Sequence, residues 1–248
     1  MRAGINKGIA LSKGKYIMKI DEHCMVGQGF DRILIADCPD NTLVVPRRLR
    51  LDADNWKIAE DKRPPIDYMI IDYPFATPYD IKCGLHGAEH REMYYKRKDV
   101  MIDDLMTMQG SAYFLSRKLW DSVIHELDDI NYGTFTIEAQ ELTNKVWLSG
   151  GRVIVNKNTW YAHMHKGNKG KAYHFTNAQY KKHQEDKERG RVYAIDYWLN
   201  TKDYKYPFSW LIEKFWPVPG WPVDWKDKIK TDRAHDFSAT YKTYEYKK

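Results

Sequence analysis

Short apolar runs alternate with stretches of helical period through the first 155 residues of this chain. The runs are Tyr16–Ile20 and residues 42–51, 68–73, 112–115 and 152–155, all bounded by polar or glycine-containing punctuation. Each is of strand length, too short for a buried helix. Between them, residues 2–14 carry Ile5, Ile9 and Ala10 at helical spacing, with Gly14 as a stop. Residues 30–36 read as a helix. Residues 117–127 put Leu119, Trp120, Val123, Ile124 and Leu127 on one face. A helix over 136–148 is stopped by Gly150-Gly151, and another is predicted over 177–189. This alternation predicts an α/β architecture, a sheet covered by helices. With 248 residues and 43% hydrophobic content the chain can bury a sizeable core, which excludes wholesale disorder. Segment 52–65 is polar and proline-broken and reads as a loop, and 79–104 shows no clear period.

Several classes drop out. No apolar run approaches the ~20 residues of a membrane-spanning helix, and residues 1–15 lack a signal-type apolar core. Cys24, Cys38 and Cys83 are odd in number and follow no zinc or disulfide spacing, so reduced thiols in a cytoplasmic setting are expected. The net charge of +6 admits an anionic ligand without demanding nucleic acid. The basic residues are scattered, with no nucleic-acid-binding motif. The 18 Tyr and 9 Trp crowd toward the C-terminus, a composition that serves sugar or base stacking as readily as aromatic cores. The Trp/Pro-rich segment 208–225 is expected to wrap over the domain and pack; the alternative is an acceptor platform of Trp210, Trp216, Trp221 and Trp225. The last fifteen or so residues are polar and expected to be loose.

The chemistry concentrates where YIMKI runs directly into Asp21-Glu22-His23-Cys24. Open α/β sheets place ligands just past the C-terminal ends of their strands. Asp21 and His23 alternate across Glu22, so local geometry lets both side chains point the same way. A carboxylate oxygen with an imidazole nitrogen suits a divalent metal of intermediate hardness such as Mn²⁺, although Asp-x-His alone is common by chance. Cys24 reads as a structural thiol. A second group, His163 and His165 within residues 160–166, follows the 152–155 strand and precedes a glycine- and lysine-rich loop. Lys166, Lys169 and Lys171 either meet a diphosphate or form a solvated face.

Taken in order, these residues resemble a known family. Arg2-x-Gly4, Gly8, Ser12-Lys13-Gly14 and Ile20-Asp21-x-His23-Cys24 resemble the donor-site stretch of family 2-type glycosyltransferases with the GT-A fold. The polypeptide N-acetylgalactosaminyltransferase group, with Asp-x-His-Cys at its metal site, is the nearest variant. Thr107-x-x-Gly110-Ser111 with Arg117-Lys118, then Glu138-Ala139-Gln140-Glu141-Leu142 with Val146-Trp147 and Gly150-Gly151, then Tyr161-Ala162-His163 with Lys166, are similar to that group's later motifs. The likeness spans roughly residues 2–166.

The resemblance implies a GT-A-like central mixed sheet flanked by helices. It also implies two regions, a partial glycosyltransferase domain over 1–166 and a loop, helix and aromatic-rich extension over 167–248. The implied function is metal-dependent transfer of a sugar from a nucleotide-sugar, UDP-linked in that group, to an acceptor that no motif specifies as glycan or protein. Asp21, His23 and His163 would hold Mn²⁺ or Mg²⁺, which neutralises the diphosphate and eases its departure. Lys166 would hold that leaving group, Arg2 the nucleotide, and Gly110 and Ser111 the donor sugar. Glu138 would face sugar or acceptor, while Trp147 belongs to the core. Many inverting members carry Glu-Asp where this chain has Glu138-Ala139, so their general base is absent. Glu138 or Glu141 would substitute, or the mechanism would be retaining. The family also carries βα units ahead of the Arg-x-Gly segment, so a fragment, a late gene start or a separate chain supplying that half is expected. Two other readings remain at this point. One is a non-catalytic carbohydrate- or nucleic-acid-binding module. The other is a metal hydrolase built on Asp21, His23, His163 and His165, which lacks helical His spacing and an evident base.

Overall fold

The structure, a computed structural model, describes residues 1–60, 62–75, 84–133, 136–164 and 176–240, with 234–240 as backbone alone. The chain opens with helix α1 (Arg2–Leu11), strands β1 (Tyr16–Ile20) and β2 (Cys24–Val26), helix α2 (Phe30–Ala36) and strand β3 (Thr42–Asp52). Strands β4 (Lys57–Ile58), β5 (Met69–Ile71) and β6 (Gly87–Glu89), helix α3 (Arg91–Arg97) and strands β7 (Ile102–Asp104) and β8 (Ala112–Ser116) come next. Helix α4 starts at Arg117–Leu119 and continues as a π-turn through Trp120–Ile124. Helix α5 (Glu138–Leu148), strand β9 (Arg152–His163) and helices α6 (Asn177–Asn200), α7 (Phe208–Lys214) and α8 (Trp225–Thr240) complete it.

Seven strands form one mixed sheet in the order β1-β8-β3-β9-β2, with β4 added to β3 and β7 to β9. The β3/β9 pair is parallel and the others are antiparallel. The apolar runs behave as strands covered on both faces, where alternate side chains enter opposite layers. Leu43 and Val45 of β3, Tyr113 and Leu115 of β8, and Val153 and Val155 of β9 enter the large core beneath α5, α6 and α7. Val44, Phe114 and Ile154, the residues between them, enter a second, smaller core with Leu34 and Cys38. This is the α/β sheet flanked by helices that the alternation predicts.

Three elements run past their expected bounds. Strand β9 continues from Val155 to His163 because its polar stretch finds internal partners. Asn156 donates to Asp37 (2.8 Å), and Lys157 donates to the Tyr68 hydroxyl (2.8 Å) and the Arg97 carbonyl (2.7 Å). Helix α6 starts from a reciprocal Thr176/Gln179 capping box and continues to Asn200. It passes close to Tyr132 at Gly190, where a Cβ would collide with the Tyr132 carbonyl oxygen. Helix α8 carries the polar tail as far as Thr240, where looseness was expected. The 52–65 loop contains β4, which folds back on Leu51 and Asp52. Residues 79–104, aperiodic in sequence, supply β6, α3 and β7 among the described positions.

The aromatic segment packs. Trp198, Phe208, Leu211, Trp221 and Trp225 are buried in the large core, Trp210 stacks on Tyr206, and Trp216 is exposed. The expected boundary at 166 lies outside the described residues, as does Cys83. Cys24 and Cys38 are free thiols, each pushed up to about 11 by burial. No helix among the described residues is long and apolar enough to cross a membrane.

One polar knot ties β7 to the rest. Asp103 accepts from Tyr68 (2.6 Å) and from Arg97 (2.7 Å). Burial pushes its carboxyl up, but the hydrogen bonds from Arg97 and Tyr68 outweigh burial and leave it below the ordinary value. A carboxyl so lowered takes up its proton more readily in the unfolded chain, so its contribution to stability is present at neutral pH and lost as pH falls below the ordinary aspartate range. Asp103→Asn is expected to cost about 1–2 kcal/mol near pH 7 and less near pH 3, with allowance for the half-exposed Arg97. Urea unfolding of both proteins at the two pH values checks this; an equal loss at both would refute it.

Candidate metal and donor-sugar site

The Asp21-Glu22-His23 corner is fastened on both sides. The Asp21 amide donates to the Ser111 carbonyl at the start of β8 (2.9 Å), and the Met164 amide donates to the His23 carbonyl (3.2 Å). Cys24 pairs directly with His163 across β2 and β9. A shift of register at Pro46/Arg47, where proline cannot donate to a ladder, carries β3 alongside the far end of β9 and pairs Arg50 with His163. The ends of β1, β2, β3 and β9 therefore meet at one place.

Asp21, His23 and His163 each offer one ligand atom there, all within 4.8 Å of one another. The two imidazole rings lie 4.7 Å apart between centroids. His163 Nε2 is 3.2 Å from Asp21 Oδ2, and its Nδ1 is 3.0 Å from an Arg48 nitrogen. A guanidinium only donates, so that network assigns the bare lone pair of neutral His163 to Nδ1 and its proton to Nε2, facing Asp21. Burial raises the Asp21 carboxyl, but hydrogen bonds from His163 and Lys19 more than reverse this and hold it at about 2. Burial also pushes His163 below its ordinary value, against the pull of Asp21. Near neutral pH the pair is a carboxylate and a neutral imidazole; ligation through Nε2 would require the ring proton to leave that nitrogen and Arg48 to yield at Nδ1. One oxygen and two imidazole nitrogens fit a divalent ion of intermediate hardness.

The three residues line a cleft of about 800 Å³ together with Lys19, Arg48, His86, Gly110, Ser111, Glu138 and Gln140. Glu138 opens α5. The residue before it, Ile137, sits at φ 67°, a left-handed conformation costly for a β-branched side chain and characteristic of functional positions. Tyr113 donates to Glu138 Oε1 (3.2 Å), and a Cβ on Gly110 would lie 3.3 Å from Glu138 Oε2, so glycine there leaves the carboxyl room. Burial raises the Glu138 carboxyl, only partly offset by Lys19, Arg2 and Tyr113. The Ser111 hydroxyl is 2.9 Å from the Tyr161 hydroxyl.

Two expected site residues are placed elsewhere. Arg2 and Glu141 are both almost fully buried and joined in an ion pair. Arg2 also donates to the Thr136 carbonyl (3.0 Å) and lies over the Tyr132 ring, while Glu141 accepts from the Asp128 amide (2.9 Å) and Lys145 (2.8 Å). Neither lines the cleft; together they form the joint between α1 and α5. Lys166, His165, Lys169 and Lys171 lie outside the described residues. Sequence reasoning missed Lys19, which shares the alternation of Asp21 and His23, and Arg48, which carried no signal beyond its place in a strand.

No family model matches the chain, and no curated protein matches it by sequence. Solved structures do match. Among them is GalNAc-T7, in a crystal structure with UDP, GalNAc and Mn²⁺. The TM-score is 0.56 at 14% identity, over 97% of this chain and 44% of that one. This chain therefore spans less than half the length of that protein, and what the two share is the GT-A glycosyltransferase fold.

Proposed function

We propose that the chain performs metal-dependent glycosyl transfer from a nucleotide-sugar, UDP-linked by analogy with the ligands in the GalNAc-T7 structure, to an acceptor hydroxyl. The observation that carries this reading is the convergence of Asp21, His23 and His163 in the cleft that also presents Glu138, within a GT-A fold. When bound, Mn²⁺ or Mg²⁺ would supply charge that stabilises a departing diphosphate. Asp21, His23 and His163 would hold that ion. Gly110 keeps the wall beside Glu138 open for the sugar, and Ser111 lines the cleft next to it. Glu138, held in a buried pocket by Tyr113, is placed to orient the sugar or acceptor or to exchange a proton at its carboxyl. Lys166 stays a proposal for the leaving group, on the strength of the motif alone. The division at 166 likewise stays a proposal, with the extension packed on the same core.

Calorimetric titration with Mn²⁺ and UDP, on the wild type and His163→Ala, tests the reading. Loss of a partner behind a metal ligand already costs 10–100-fold in affinity, so loss of the ligand itself should exceed about 100-fold. Metal-independent UDP binding, or an unchanged response in His163→Ala, would refute it. Salt-sensitive binding to single-stranded DNA without a metal effect would favour the binding-module reading instead.

A further inference from the structure

Lys19 engages the carboxylate that a metal needs. Its ammonium donates to Asp21 Oδ1 at 2.6 Å and to the Gly110 carbonyl, and all three residues line the cleft. The other oxygen, Oδ2, faces His163 Nε2. Lys19 on Oδ1 and the His163 N–H on Oδ2 thus both compete with a cation for the Asp21 carboxylate. A divalent ion on Asp21 also repels an ammonium held against the same carboxylate. Lys19 can withdraw without disturbing β1, because its charge rides on a flexible four-carbon stem. Besides Asp21, the carboxylates of Glu22 and Glu138 line the cleft, and a bound donor would add its phosphates. Glu138 is a poor destination because burial favours its uncharged form, and Glu22 is a weak one because it is largely exposed and lies beside His23.

We propose that Lys19 is a hand-over residue: it occupies Asp21 while the site is ligand-free, and transfers its ammonium to the diphosphate when donor and metal bind together. This rests on the glycosyl-transfer reading and adds a further substrate-binding residue to it. The consequence is coupling: metal alone binds weakly, diphosphate and metal bind well together, and each raises the other's affinity equally.

The test uses Mn²⁺ alone, followed by the free-ion electron paramagnetic resonance signal, and the preformed Mn²⁺–pyrophosphate complex, followed by calorimetry. Both are applied to the wild type, Lys19→Met and Lys19→Gln, the last retaining a donor for the Gly110 carbonyl. A charge-assisted hydrogen bond is worth about tenfold in binding. The neutral variants should therefore bind Mn²⁺ alone about 10-fold more tightly and Mn²⁺–pyrophosphate about 10-fold more weakly, while Lys19→Arg, which keeps the charge, stays near wild type in both. A wild type that binds both probes, with neutral variants unchanged or weaker toward Mn²⁺ alone, overturns this inference and leaves glycosyl transfer standing. Tighter Mn²⁺ with unchanged pyrophosphate complex also overturns it, because Lys19 then only obstructs. A wild type that binds neither probe overturns both.

Discussion

Glu138→Gln is expected to lower turnover by about 10²–10⁴-fold, the range for losing a proton-transferring or orienting carboxyl, while leaving the melting temperature nearly unchanged. Glutamine matches glutamate in volume, and its carbonyl oxygen can still accept from Tyr113, so the buried pocket is neither emptied nor left with a lone donor. The change removes only the ability to ionise. Burial holds the wild-type carboxyl above its ordinary value. Activity that needs the carboxylate should therefore fall, as pH is lowered, at a higher pH than an ordinary glutamate with pKa about 4.3 would dictate. The residual activity of the variant should lack that acid limb. Turnover of a UDP-sugar measured across pH for both proteins decides the matter; wild-type turnover in Glu138→Gln would remove Glu138 from the chemistry.

Glu141→Ala, three residues along the same helix, should act through folding instead. The change removes the carboxylate that pairs with the buried Arg2 guanidinium, which also donates to the Thr136 carbonyl and lies over the Tyr132 ring. It also removes the acceptor of the Asp128 amide and one of the acceptors of Lys145. Breaking a buried ion pair from one side costs about 3–5 kcal/mol, a large share of the 5–15 kcal/mol that holds a typical domain together. Replacing both partners with apolar groups should recover much of the loss, because neither charge is then left uncompensated. Chemical denaturation of Glu141→Ala and of the double variant Arg2→Met/Glu141→Leu measures both effects. A stable but inactive Glu141→Ala would return Glu141 to the site.

The contrast between these two glutamates marks where sequence reading reached its limit. A motif position says that a helix carries two carboxylates; it does not say which face meets the cleft and which meets α1. Strands β1, β3, β8 and the first half of β9 were legible because their apolar runs are continuous, as burial in a sheet interior requires; β2, β4 and β7 were not, being two or three residues long without such a run. The far half of β9 was not, because Asn156 and Lys157 look like loop residues until Asp37, Tyr68 and Arg97 are known to receive them. Likewise the helix expected over 177–189 runs on through Gly190, which marks a close approach to Tyr132. Alternation gave Asp21 and His23, and it would have given Lys19 had it been followed one step back along the strand. The meeting of His163 with them rests on the pairing of β9 with β2, Cys24 against His163, which no local pattern reveals.

Because Asp21 leaves β1 near one end of the chain and His163 closes β9 some 140 residues later, an ion held between them would act as a clasp across nearly the whole topology. Such an ion has no counterpart in the unfolded chain, where its ligands are scattered. Its affinity would then add directly to the resistance of the entire sheet against heat, and fraying at the last rung of β9 would open the clasp first.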